Sequence, residues 1–134
     1  MLSRKGFTLI ELMIVILIVA VLAAVLVPLL TSRINAAKWS EGKAGAGTVA
    51  TAVRAYLVER NVAPAAATLD LVTDLGFVAE DLRGKYFAIG NYSVDTVSYD
   101  PATHAMTYTV HVTAGTGVSG GPLTLDHLGN MSNP

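Results

Sequence analysis

The sequence predicts an α+β chain: one long N-terminal helix whose apolar half projects bare and whose amphipathic half packs on a four-stranded antiparallel sheet. Three observations carry this. An almost unbroken apolar run fills residues 7–30, apolar residues recur at helical spacing from Ala46 to Leu57, and β-forming segments separated by turn signals occupy the C-terminal part.

At 134 residues the chain supplies one small domain and one extra long element, not two packed cores. Its hydrophobic content is 52% with only 14% charged residues, and the excess apolarity lies at the N-terminus. A formal net charge of -1 provides no field for nucleic acid, so no nucleic-acid partner is expected. The absence of cysteine excludes disulfides, thiolate metal sites and thiol nucleophiles.

The first element is the apolar helix. Arg4 and Lys5 precede a stretch from Phe7 to Leu30 that is interrupted only by Glu11, the basic-then-apolar order of a membrane-targeting segment. Leu12 to Leu30 carries no charge, and at about 1.5 Å per residue a helix of that length covers about 28 Å of a bilayer core of about 30 Å. The basic flank places the N-terminus on the cytoplasmic side and exports everything after Leu30.

Two residues do not fit a plain anchor. A carboxylate at Glu11 costs about 2.5–3.5 kcal/mol at the centre of a membrane and less near its surface. Either it reaches water at the interface, or it meets a partner charge. The α-amino group of Phe7 from a neighbouring subunit, freed by a cut after Gly6, would be such a partner and would set axial register. Pro28 lacks an N–H and clashes with the Ala24 carbonyl, so the helix is expected to kink or loosen there, as a tolerated break or a deliberate weak point.

The run Lys5-Gly6-Phe7-Thr8-Leu9-Ile10-Glu11-Leu12 resembles the prepilin cleavage and methylation motif of type IV pilins and of the pseudopilins of type II secretion. The resemblance implies a leader peptide at residues 1–6, a transmembrane and filament-core helix at 7–30, and a globular head at 31–134. It further implies that a prepilin peptidase cuts between Gly6 and Phe7 and methylates the Phe7 amine. Glu11 would then pair with that amine in the filament. Pro28 sits where the family usually has a helix-breaking proline. The implied partners are further copies of the chain in a helical homopolymer, the peptidase, an assembly ATPase and an inner-membrane platform protein.

Beyond Thr31 the composition is mixed, and no strong turn signal occurs before Asn61 to Pro64, so one helix is expected to run to about Arg60. Ala46, Val49, Ala50, Val53, Tyr56 and Leu57 give it one apolar stripe. Gly42, Gly45 and Gly47 each cost a helix up to about 1 kcal/mol relative to alanine, which marks a soft spot, a break or a close contact. Arg33, Lys38 and Lys43 are spread around the helix and read as a solvated face. After the loop at residues 61–68, Leu69 to Leu75 is expected to be a short helix stopped by Gly76.

Four strands are expected at Tyr86–Ile89, Tyr92–Tyr99, Met106–Ala114 and Leu123–Leu128, in an antiparallel meander. In the third, Met106, Tyr108, Val110 and Val112 alternate with Thr107, Thr109, His111 and Thr113, the pattern of a sheet covered on one side. The amphipathic helix is the expected cover. Many type IV pilins close the head with a disulfide, and this chain has no cysteine to do so.

No convergent set of acid, base, nucleophile or metal ligand is legible, so neither catalysis nor a cofactor is expected. His104, His111 and His127 are scattered, although His111 and His127 lie on strands that can bring them together. Asp126 and Asn130 fall where some pseudopilins bind calcium, but the surrounding residues do not match such a loop.

The expected function is therefore that of a structural, major-pilin-like subunit, stored in the bacterial inner membrane and polymerised into an extracellular filament. A pseudopilin shares the architecture and is the nearest alternative. From another class, the alternative is a single-span membrane-anchored binding module that keeps Met1 to Gly6.

Overall fold

The computed structural model describes residues 6–62 and 64–132, so Met1 to Lys5 of the expected leader lie outside the described part. The chain divides into two units, Met1–Ala36 and Ala37–Pro134. A single helix, α1, runs through Leu9–Arg60, so the expected end of the helix is observed.

In the first unit, aliphatic residues form α1 without burying any side chain: Phe7 is 88% exposed, Leu9 77% and Val25 71%. Pro28 lies inside this stretch, where its ring withholds the N–H that would otherwise donate to the Ala24 carbonyl. Just beyond it, Thr31 Oγ1 donates to the Val27 carbonyl at 2.9 Å and Ser32 Oγ to the Leu29 carbonyl at 2.8 Å.

The second unit holds the core. Ala46, Val49, Ala50, Val53 and Leu57 of α1 are buried, and Tyr56 packs against them half-buried, as the stripe predicts. The stripe also extends further back than expected: Trp39 and Gly42, three and four residues apart along the same row, are buried too. Facing them are Val94, Tyr108, Val110, Val112, Leu123 and Leu125 from a sheet of three strands, β1 (Tyr92–Asp100), β2 (Ala105–Val112) and β3 (Leu123–Asp126).

The order is β1-β2-β3 and both pairings are antiparallel, with Val94 opposite Val110 and Val110 opposite Leu125. On β2 the expected alternation holds: Tyr108, Val110 and Val112 are buried and Met106 is packed against the core, while Thr107 is exposed and Thr109 and His111 are half-exposed. The register shifts in β1 between Asp95 and Ser98, where Thr96 takes φ 54° and its hydroxyl bonds Thr109 Oγ1 at 2.9 Å. The extra residue changes parity, so that Tyr92 and Val94 before it and Val97 and Tyr99 after it all reach the core.

Two expected elements are not formed. Tyr86–Ile89 is not a fourth strand, because the Tyr86 and Phe87 N–H groups donate to the Glu41 carboxylate at 2.9 and 2.8 Å and Ile89–Asn91 winds into a 3-10 turn. With its donors taken by a side chain of α1, the segment has no ladder to offer a neighbouring strand. Leu69–Leu75 is a hydrogen-bonded turn and not a helix. Asp70 Oδ1 accepts from the N–H groups of Val72 and Thr73, and Phe77 N–H closes back on the Leu71 carbonyl at 2.8 Å. Gly76 therefore stops no helix; it takes φ 73° just after the turn.

β2 and β3 also end earlier than expected. β3 stops at Asp126, whose Oδ1 draws the following chain into a turn by accepting from the Leu128 and Asn130 N–H groups. β2 stops at Val112, beyond which Thr113 N–H bonds the Asn91 carbonyl.

Both outer sheet edges carry short pairings. Val97 N–H donates to the Ala67 carbonyl at 2.8 Å beside β1, and Ser132 N–H to the Thr124 carbonyl at 2.9 Å beside β3. These contacts occupy edge groups that would otherwise be open to strand addition.

Candidate functional site

The helix start concentrates the features that the sequence singles out. Gly6, Phe7 and Thr8 are exposed and precede the first helical residue, so the Gly6–Phe7 peptide bond lies in accessible chain outside the helix. Glu11 follows in the first turn of α1. Pro28 belongs to a different place: at about 1.5 Å per residue it lies roughly 25 Å further along the helix.

Glu11 has a partner within its own chain. Thr8 donates to Glu11 Oε2 through its backbone N–H and through its hydroxyl, both at 2.9 Å, and Glu11 N–H returns a bond of 3.3 Å to Thr8 Oγ1. This is a capping box, in which an N-cap threonine and the glutamate three residues later satisfy each other's orphan donors. Thr8 is neither of the partners expected for Glu11, water or a neighbouring amine, although the Thr8-x-x-Glu11 spacing before an apolar run is the signal for it. Both bonds fall on Oε2, and a carboxylate accepts up to about four, so capacity remains for a further donor.

In the second unit the groups considered for chemistry are engaged locally. His111 Nε2 lies 3.5 Å from Asp95 Oδ2, and His127 stacks edge-on against Tyr108 at 6.4 Å, so each ring has a neighbour of its own. Asp126 Oδ2 accepts from Asn130 Nδ2 at 2.8 Å, while Oδ1 takes the two N–H groups already described. These bonds, led by the Asn130 amide, hold the Asp126 carboxyl below the usual range. Among the described residues no group of three or more His, Asp or Glu side chains gathers as a metal would require.

Lys38 is less solvated than expected: its Nζ donates to the Gly117 carbonyl at 2.7 Å and sits 5.1 Å from the centre of the Tyr86 ring. Trp39 Nε1 donates to the Ser119 carbonyl at 2.9 Å. Together they tie the glycine-rich loop of residues 115–122 to α1.

Two of the three glycines of α1 are explained by close contact. A Cβ on Gly42 would stand 2.9 Å from the Phe87 ring, and one on Gly45 would strike the Tyr92 hydroxyl, whereas Gly47 faces open space.

Comparison with known proteins gives one result. Residues 1–27 match the family model described as the prokaryotic N-terminal methylation motif. No curated protein and no solved structure matches the chain. The match contains Gly6, Phe7, Thr8 and Glu11, the residues gathered at the helix start. The chain thus carries, at its N-terminus, the prepilin-type methylation motif of the type IV pilin and pseudopilin family.

Proposed function

We propose that this chain is a structural subunit, of the major pilin type, of a type IV pilus filament. The observation that carries the reading is the first half of α1. From Phe7 to Leu30 every side chain is exposed, in a stretch that is apolar except for Thr8 and Glu11. Such a surface is stable in a bilayer or in a bundle of its own copies, and not in water. Only the α+β unit that follows has a closed core.

Leader cleavage between Gly6 and Phe7, methylation of the Phe7 amine and storage in the inner membrane with the N-terminus cytoplasmic precede assembly. An assembly ATPase and a platform protein then extract the subunit. Leaving lipid for a bundle of helices gains little from apolar burial alone. The drive comes from packing, from pairing between Glu11 and the Phe7 amine of a neighbour, and from the machine. The prepilin motif on such a helix supports this sequence of events.

Intact mass with N-terminal fragmentation, on protein sheared from the cell surface and separately on the membrane fraction, tests it. Sheared chains that begin at a methylated Phe7 are expected. Processed chains confined to the membrane fraction point to a pseudopilin instead. Chains that all retain Met1 to Gly6 overturn the filament reading in favour of an anchored binding module.

A further inference from the structure

We propose that the cavity where α1 ends binds a free α-amino acid with an apolar side chain. The cavity measures about 360 Å³ and is lined by Tyr56, Arg60, Pro64, Thr68, Leu69 and Asp74 among others. That volume lies at the lower end of the range for small-molecule sites, about 300–1,000 Å³. The chain turns away from α1 at this point: Asn61 takes φ 49°, its N–H closes on the Leu57 carbonyl at 3.1 Å, and its side-chain oxygen accepts from the Tyr99 hydroxyl at 3.2 Å.

Two opposite charges line the cavity without meeting. The Arg60 guanidinium stacks on the Tyr56 ring, 4.6 Å from its centre. It makes no hydrogen bond or ion pair among the described residues, whose ion pairs are Arg83–Glu80 and His111–Asp95. Stacking leaves the edge of the guanidinium, with its N–H donors, open to a carboxylate. Arg60 also suits the negative end of α1, but that accounts for its charge and not for the cavity beside it. Asp74 comes from a separate element, the turn that follows Leu69. Its Oδ2 accepts the Asp70 N–H at 2.8 Å and its own N–H bonds the Asp70 carbonyl at 3.1 Å, so the carboxylate is fixed in place with Oδ1 to spare. Leu69, 6% exposed and bridged to Val94 of β1, joins Tyr56 and Pro64 in supplying apolar surface.

A simple anion would meet Asp74 as a like charge, and a simple cation would meet Arg60. A zwitterion offers a carboxylate to Arg60 and an ammonium to Asp74, and its apolar group covers the Leu69 side. Because stacking holds one charged wall and turn hydrogen bonds hold the other, little ordering is left for the ligand to offset.

The full-length, 15N-labelled protein in non-ionic detergent micelles is titrated at constant ionic strength with leucine, with N-acetylleucine, which lacks the ammonium, and with leucinamide, which lacks the carboxylate. Saturable amide shifts at Thr68, Leu69 and Asp74 are expected with leucine. Affinity should be about fivefold or more weaker for each analogue, and for leucine with Arg60→Gln or with Asp74→Asn. Unchanged amide shifts at Trp39 and Tyr108 verify that each variant is folded. Shifts that grow linearly with leucine, an analogue that binds as tightly as leucine, or a saturable affinity that either variant leaves unchanged overturn the proposal. The micelles hold the unassembled chain, so the result is independent of the filament reading.

Discussion

Gly42 of α1 lies directly under the ring of Phe87, so close that a Cβ there would stand 2.9 Å from Cε1 and Cζ. Phe87 is 2% exposed and is also held by the Trp39 ring at 5.3 Å, so it cannot swing aside. Gly42→Ala is therefore expected to destabilise the protein by about 1–3 kcal/mol, the range for overpacking a filled core. Gly47, with open space around its Cα, should behave in the opposite way: Gly47→Ala gains up to about 1 kcal/mol from helix propensity. Thermal unfolding followed by near-ultraviolet circular dichroism in detergent compares the two. Opposite signs are the expectation, and a stabilised Gly42→Ala would contradict the packing.

Glu41 should make the head sensitive to acid. Burial acts to raise its pKa, but the N–H groups of Tyr86, Phe87 and Lys85 and the Lys85 charge outweigh it, and the carboxyl stays below its ordinary value of 4.5. A depressed folded-state pKa contributes stability that is present above the unfolded pKa and is lost as pH falls through the folded one. The Tyr86 and Phe87 amides are thus expected to be protected from hydrogen exchange near neutrality and to lose protection as pH drops below about 4.5. Glu41→Ala should remove that protection at every pH and cost about 1.5–3 kcal/mol, as for a bond to a charged acceptor.

Trp39 is the chain's single tryptophan and is 2% exposed, which makes it a direct probe of the loop it holds. Its fluorescence should be blue-shifted and resist acrylamide until the head unfolds. Trp39→Phe keeps a ring against Phe87 but loses the bond to the Ser119 carbonyl, at a cost of about 1 kcal/mol or somewhat more once the lost volume is added. Exchange at residues 115–119 should rise in that variant, while Trp39→Ala is expected to cost about 3–5 kcal/mol.

The parts of the fold that the sequence revealed are those dictated by periodicity. The stripe from Ala46 to Leu57 and the alternation around Tyr108 to Val112 each repeat one local rule, and both faces turn up buried where the rule puts them. What stayed hidden depends on partners distant in the chain. Tyr86–Ile89 has strand-like composition, yet its N–H groups are claimed by Glu41, a residue whose reach across the core no local window contains. Gly42 and Gly45 read equally as a soft spot, a break or a close contact until Phe87 and Tyr92 are seen resting on them. The bulge near Thr96 was legible in principle, because the buried residues jump from Val94 to Val97 and break the period of two. At the helix start the motif residues were legible from the sequence, and the Thr8–Glu11 box was overlooked because a charged residue in an apolar run invites a search for an opposite charge, not for a backbone amide.

That box yields the last prediction. In the free subunit Glu11 Oε2 is occupied by the Thr8 N–H and hydroxyl. Glu11→Ala removes both bonds together with the carboxylate available to a neighbour's amine, so amide exchange at Thr8 should accelerate and filament yield should collapse. Thr8→Val deletes the hydroxyl but keeps the N–H bond and the full Glu11 charge. It should fray the helix start slightly in micelles while filaments still form. Glu11→Gln keeps an acceptor for the Thr8 N–H and loses only the charge, so the cap should hold while assembly suffers. Cap and assembly are therefore separable: exchange at Thr8 reads the first, and sheared filament mass reads the second. If filament yield instead tracked Thr8 protection across the three variants, the role of Glu11 would be to start the helix and not to meet a second subunit.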